Sequence, residues 1–312
     1  MSTLPAVTPA LSSKKGAAKT ILAVAETAPA YAKDQIEIFT APFKDKPLVR
    51  RVKQPKSVAI APNDALIVGT FNYQLLVYDA PWTGRPHNEG LTSPDGQFVF
   101  DTKNRLFTPD VFGDVYVFDA PYHQAPAMQF TPPGGGVLQI ALDKDDNLFY
   151  TPRISPYVVA ECRPPSYSQC KTLKLSNGAL AVDQSQNLFI AVGIGKIKEL
   201  PPPYRRTGAQ VSNTLTAASF LSDDGALFVS GYNNQSQPAL GVFVRPFKKA
   251  IQRVPVTVDY YPLYEFAVAQ NHDLFASTGT YSKPCVGVFP YPYDHSTQCI
   301  QPEYELRALA AR

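Results

Sequence analysis

The side chains of this 312-residue chain that could do chemistry are four histidines, four cysteines, a series of aspartates and a set of tyrosines and phenylalanines. His87, His123, His272 and His295 lie far apart, and none stands in an HxH or HExxH spacing, so no zinc or copper centre is expected. Asp143, Asp145 and Asp146 offer oxygens suited to calcium, but the Gly and distal Glu of an EF-hand loop are missing. No GxSxG elbow occurs, and Gly134 to Gly136 precedes no helix that could hold a phosphate. Nucleophilic catalysis has no sequence support, and no cofactor is expected.

The elements that position these residues are short and repeated. In QFVFDTKNRLFTPDVFGDVYVFDAPY, from Gln97 to Tyr122, an apolar run stops at Asp101 and a second begins at Leu106. Gly113 and Asp114 then turn the chain into a third run, which Pro121 ends, and Met128 to Thr131 makes a fourth. Four short strands in roughly 40 residues form the blade of a β-propeller. The second-strand leucines Leu22, Leu66, Leu106, Leu148, Leu188, Leu227 and Leu274 recur at intervals of 39 to 47 residues. The expected fold is an all-β, seven-bladed β-propeller of four-stranded antiparallel blades. Unit one lacks a first strand before Leu22, so Tyr304 to Ala310, YELRALA, is expected to supply it and close the ring. Residues 1–20, rich in Ser, Thr, Pro, Ala and Lys, read as a flexible tail before a single domain over 21–312.

The turns LDKDDNLF, VDQSQNLF and SDDGALF resemble the NHL and YVTN-type bacterial β-propeller repeats, in which an Asp-rich turn precedes a Leu-Phe or Leu-Tyr strand. The resemblance runs from Leu22 to the C-terminus. It implies a binding platform, a scaffold or, less often, an enzyme. It also implies that the second-to-third and fourth-to-first connections share one face, where ligands bind. That face would carry Tyr31, Tyr73, Phe112, Tyr157, Tyr232 and Tyr281, while unit five offers only Gly193 to Gly195. Such aromatics could stack on sugars or hold peptide side chains, or each could pack on its neighbouring blade. Tyr73, Phe112, Tyr157, Tyr232 and Tyr281 are the candidate binding residues of a non-enzymatic propeller that recognises a ligand or protein partner. The alternative is a metal-dependent lactonase or related hydrolase, since gluconolactonase-type propellers share the blade pattern and hold a divalent ion with Glu, Asn and Asp. Glu265, Asn177 and Glu89 lie near first-strand starts, but no motif places them in that role.

On the opposite face, the aromatics that follow third strands, Phe43, Trp82, Tyr122, Tyr204, Phe247 and Tyr293, read as repeat packing. Asp64, Asp101, Asp143, Asp145, Asp146, Asp183, Asp223, Asp224 and Asp273 read as acceptors for backbone N–H groups in first-to-second turns. Cys162 and Cys170 flank the third-to-fourth corner of unit four, and Cys285 and Cys299 flank that of unit seven. They are either two disulfides, which require an oxidising compartment, or buried free thiols. The pairs favour an extracytoplasmic or secreted protein, although Met1 to Thr20 has no h-region; a leader removed earlier would reconcile the two.

A net charge of +3 from 29 basic and 26 acidic residues leaves no footprint for nucleic acid. Arg50 and Arg51, Arg205 and Arg206, and Lys248 and Lys249 read as solvated rims. No apolar run is long enough for a membrane span. A monomer with an unidentified ligand or protein partner is the expected state.

Overall fold

A computed structural model describes residues 20–27, 33–88, 97–110, 112–152, 158–176, 178–192, 196–205, 210–212, 216–223, 226–232, 238–244, 252–255, 266–278, 283–290, 293, 295–303 and 305–312. The expected tail lies outside these residues, apart from the buried Thr20.

Alternating apolar residues make short strands wherever Pro, Gly or Asp stops them, and no helix occurs among the described residues. The first unit contributes β1 (Ile21–Thr27), β2 (Gln35–Thr40) and β3 (Leu48–Arg51), and the second β4 (Pro55–Ile60), β5 (Leu66–Thr70), β6 (Leu75–Tyr78) and β7 (His87–Asn88). The third has β8 (Val99–Phe100), β9 (Leu106–Pro109), β10 (Val115–Phe118) and β11 (Met128–Phe130), and the fourth β12 (Val137–Leu142), β13 (Leu148–Pro152), β14 (Val158–Cys162) and β15 (Cys170–Ser176). The fifth follows with β16 (Leu180–Val182), β17 (Leu188–Ala191), β18 (Lys196–Leu200) and β19 (Gln210–Ser212), and the sixth with β20 (Thr216–Asp223), β21 (Ala226–Tyr232), β22 (Pro238–Val244) and β23 (Gln252–Pro255). The seventh has β24 (Phe266–Val268), β25 (Leu274–Ser277), β26 (Val286–Phe289) and β27 (Gln298–Ile300), after which comes β28 (Glu305–Ala311).

These strands form four-stranded antiparallel sheets, and β28 completes the first in the order β28-β1-β2-β3. Leu22 pairs with Ala311 and Val24 with Leu309. From Glu305 onward, the YELRALA segment is thus the strand that unit one lacks. The seven repeat leucines all fall on the second strand of their sheet, 0–1% exposed.

The core lies between sheets. Ile67 and Val77 of the second sheet pack with Leu106 and Phe118 of the third, and the same arrangement recurs along the chain. One cluster joins Phe275 and Val286 of the seventh sheet to Leu22, Val24, Leu306 and Leu309 of the first. Strand β28 divides its faces by size: Leu306 and Leu309 meet the seventh sheet, whereas Ala308 and Ala310 meet the second. Both faces are buried, which is why this segment is almost continuously apolar.

Asp101, Asp143 and Asp183 act as expected, whereas in the turns of Asp64 and Asp273 it is Asn63 and Asn271 that accept backbone N–H groups, and the Asp64 carboxylate pairs with Arg312. Asp101 Oδ1 accepts from the N–H groups of Lys103 and Arg105, at 2.9 and 2.7 Å, and Asp143 Oδ1 from those of Asp145 and Asn147, at 3.0 and 2.9 Å. Asp146 instead reaches the third sheet, where its carboxylate takes the N–H and hydroxyl of Thr102, both at 2.9 Å. Neighbouring inner strands are also tied by glutamine: Gln97 both accepts from and donates to the Ile140 backbone, at 2.7 and 2.9 Å. The tie satisfies groups that a strand edge would leave unpaired.

Both cysteine pairs are joined. Cys162 and Cys170 are directly opposite on β14 and β15 with Cα atoms 4.1 Å apart, and Cys285 lies 5.7 Å from Cys299 by the same measure.

Candidate functional site

The second-to-third connections hold the candidate aromatics, and two of these are described. Between β5 and β6 the chain turns through Thr70 to Gln74: the Tyr73 N–H donates to the Thr70 carbonyl at 3.0 Å, and the Thr70 N–H to the Gln74 carbonyl at 3.0 Å. Tyr73 takes the left-handed position of this turn, with φ 65°. The corresponding loop between β9 and β10 puts glycine there, Gly113 at φ 111°. A Cβ on Gly113 would also lie 2.5 Å from the Gly136 nitrogen, so that close approach requires glycine.

Asp110 builds the second loop. It is 2% exposed, and its Oδ1 accepts from the N–H groups of Phe112, Gly113 and Asp114 at 2.9, 2.7 and 2.9 Å. The N–H fan on one buried carboxylate fixes the loop and leaves Phe112 at its tip, 74% exposed. Tyr73 is 54% exposed, with Phe71 at 48% and Leu138 at 43%.

These side chains lie at one end of the sheets. The Phe71 N–H donates to the Gln54 carbonyl at 2.9 Å, which ties the β5–β6 loop to the β3–β4 connection. Gly113 lies against Gly136 in the β11–β12 connection, two residues before Leu138. Second-to-third and fourth-to-first connections therefore share an end, as the repeat resemblance implies. Tyr31, Tyr157, Tyr281 and Gly193 to Gly195 lie outside the described residues. Tyr232 is the last residue of β21, paired with Pro238, and its side chain is outside them too. Tyr73 and Phe112 occupy different positions in their turns, so the aromatic series is not a strict repeat.

At the opposite end the corner aromatics are structural. Phe43, Trp82, Tyr122, Tyr204 and Tyr293 all take positive φ, between 59° and 69°. Tyr122 donates to the Asn104 carbonyl at 2.7 Å, Trp82 to that of Asp64 at 2.8 Å, and Tyr204 to Asp143 Oδ2 at 3.0 Å. Their rings wedge between sheets, as Tyr204 does edge-on to Phe149 at 4.8 Å and Phe43 to Phe275 at 5.5 Å. Unit four also has such a residue, Tyr167, 1% exposed against Phe107 and Phe130. An extra residue between Cys162 and Tyr167 hides it from alignment; the Pro164-Pro165 pair before it was the available signal. Phe247 is outside the described residues.

A buried polar cluster went unseen in the sequence. The Gln35 side-chain amide donates to Glu37 at 3.1 Å, Glu303 at 3.3 Å and Glu26 at 3.5 Å. Burial pushes the Glu37 carboxyl above its ordinary value, the more so beside Glu303, with hydrogen bonds to Glu26 and Glu303 opposing the rise. The cluster ties the ends of β1 and β2 to the segment leading into β28.

Histidines without a motif spacing along the chain can still meet between sheets. His87 of β7 and His123 after β10 stack with ring centroids 3.7 Å apart, beside Asp79. His272 sits in a first-to-second turn at φ 66°, and His295 is exposed. No helix among the described residues is long and apolar enough to cross a membrane.

The sequence matches no protein-family model and no curated protein. Among solved structures it is similar to apo AztD from Citrobacter koseri, at 13% identity over 94% of this chain and 98% of that one, with a TM-score of 0.64. A streptogramin B lyase matches at 8% identity and TM-score 0.60, over 83% of this chain and 94% of the lyase. A candidate 6-phosphogluconolactonase from Bacteroides uniformis matches at 10% and 0.67, over 94% and 99%. At such identities the likeness is one of fold, and with the four-stranded sheets above it makes this chain a β-propeller-type protein.

Proposed function

We propose that residues 21–312 form one seven-bladed β-propeller, closed by β28, that acts as a non-enzymatic binding or scaffold protein through the end bearing Tyr73 and Phe112. The ring reading is supported by the β28-β1 pairing and by the cluster that joins the seventh sheet to the first. The NHL or YVTN assignment rests on the turn motifs alone.

One observation carries the binding reading: Tyr73 holds a left-handed backbone while its ring stays in solvent. For a residue with a Cβ that conformation costs about 1–2 kcal/mol. Tyr122 and Tyr204 offset the same cost by burying their rings and bonding their hydroxyls, and Trp82 by bonding its indole N–H. Tyr73 has no such return among the described residues, and a ring presented at low entropic cost is what an aromatic contact surface uses. Glu89, Asn177 and Glu265 of the lactonase alternative lie outside the described residues.

The test is a pair of variants, Tyr73→Ala and Phe112→Ala, melted and screened beside the parent on glycan and peptide arrays. Stability should move by no more than about 0.5 kcal/mol, as at exposed sites. Array binding should weaken by about 1–3 kcal/mol in each. Losses of stability well above that in both, or array binding indifferent to both, would return these rings to a packing role.

A further inference from the structure

The corner between the second and third sheets holds a group of side chains that neither the repeat nor the proposed binding end uses. Asp79 follows β6, His87 begins β7, and His123 follows the corner residue Tyr122 of the next sheet. His123 Nε2 lies 2.8 Å from Asp79 Oδ1, and His87 Nε2 lies 3.5 Å from Asp79 Oδ2. All three candidate ligand atoms fall within 4.8 Å of one another.

The fold does not need these side chains. In the corner turn it is the Asp79 backbone carbonyl that accepts, from the Trp82 N–H, at 2.6 Å. Thr40, Asp119, Pro201 and Pro290 perform the same service elsewhere, so a carboxylate is not required at that position. Histidine follows the corner aromatic in unit three alone; Lys44, Thr83, Ser168, Arg205, Lys248 and Asp294 stand there in the others. Repetition explains neither histidine. The ion-pair geometry leaves half of the Asp79 and His87 side chains, 53% and 46%, open to water, with His123 at 22%.

We propose that Asp79, His87 and His123 form a divalent transition-metal site of the zinc type, bridging the second and third sheets. Two imidazoles and one carboxylate are a borderline donor set, which suits zinc or copper(II) better than calcium or magnesium, whose shells are all oxygen. Ligands on one tetrahedral zinc stand about 3.3 Å apart, given bonds of about 2.0–2.1 Å. The two Nε2–O separations, 3.5 Å to Oδ2 and 2.8 Å to Oδ1, bracket that value, and a turn of the carboxylate would offer one oxygen to the ion. Both rings direct Nε2 at one carboxylate, so an ion takes the place of the protons they share with it, and a small splay of the stacked rings aims both lone pairs at it. Three protein ligands on an exposed corner leave the fourth position to water or to a donor from another molecule.

The experiment is a zinc titration of tag-free, chelator-stripped full-length protein by calorimetry, with melts at each step. Parent protein should bind one equivalent, with its melting temperature raised by zinc. His87→Ala, His123→Ala and Asp79→Ala should each weaken binding roughly tenfold or more, and acidification, which protonates imidazole, should release the ion. His272→Ala and His295→Ala should bind as the parent does. Variants that melt normally without zinc establish that the loss belongs to the site. A parent that takes up no stoichiometric zinc, or uptake that survives the His87→Ala/His123→Ala double change, overturns the proposal. Either result leaves the array test of Tyr73 and Phe112 standing or falling by itself.

Discussion

Cutting the chain after Glu303 removes β28 and, with it, everything that covers the inner edge of β1. Leu306 and Leu309, 6% and 7% exposed, lose their contacts with Val24 and Phe275. Burying a leucine side chain is worth about 1.5–3 kcal/mol, so the two account for roughly 3–6 kcal/mol. Arg312 goes too: its guanidinium sits 2.7 Å from Asp64 and donates to the Ala61 carbonyl at 2.6 Å. The freed N–H and C=O groups of β1 can turn to water, so the lost ladder adds less than the leucines. A total near 5 kcal/mol or above compares with about 5–15 kcal/mol for whole domains. Urea denaturation followed by intrinsic fluorescence, with size-exclusion chromatography at several concentrations, measures the effect. The truncated chain should unfold at much lower urea and self-associate through the exposed edge, and a peptide of residues 304–312 added in trans should restore the midpoint. The milder Leu309→Ala should cost about 2–5 kcal/mol. A truncated protein with the parent's midpoint and elution volume would refute the argument that this strand closes the molecule.

Two further outcomes concern the buried tyrosines. Tyr204→Phe removes the hydroxyl that donates to Asp143 but leaves that carboxylate its bonds to Asn147, so the cost should be about 1–2 kcal/mol by urea denaturation. Above pH 10 the fold should weaken steeply: burial pushes Tyr122, Tyr150 and Tyr167 up to about 12, and burial first, then the Asp143 charge, pushes Tyr204 up further. These phenols stay protonated in the fold after the unfolded chain has lost its protons near pH 10. Their contribution is therefore full below pH 10 and falls by about 1.4 kcal/mol per group per pH unit until the folded value is reached. The last part of the rise in phenolate absorbance should coincide with unfolding; a rise that is complete well before unfolding would contradict it.

Much of the scaffold was legible in the chain because strands announce themselves locally. A leucine every 39 to 47 residues, a proline at each third-strand end and an acid at each first turn describe unit after unit. The absent first strand of unit one and the surplus YELRALA could be matched by counting alone, and β28 lies on β1 accordingly. The cysteine pairs were legible for the same reason, since each spans a single corner.

What the chain could not show was anything assembled between sheets. Tyr73 and Phe112 carry no mark in the sequence to separate a solvent ring from a packed one; the backbone angle and exposure of the loop decide that. Gln35 among Glu26, Glu37 and Glu303 depends on β28 returning to β1. Asp79, His87 and His123 have no motif spacing because a sheet packing, not a helix turn or a hairpin, sets their distances. Local order follows from neighbours in the chain, whereas a site whose ligands come from different sheets exists only once apolar burial has pressed those sheets together.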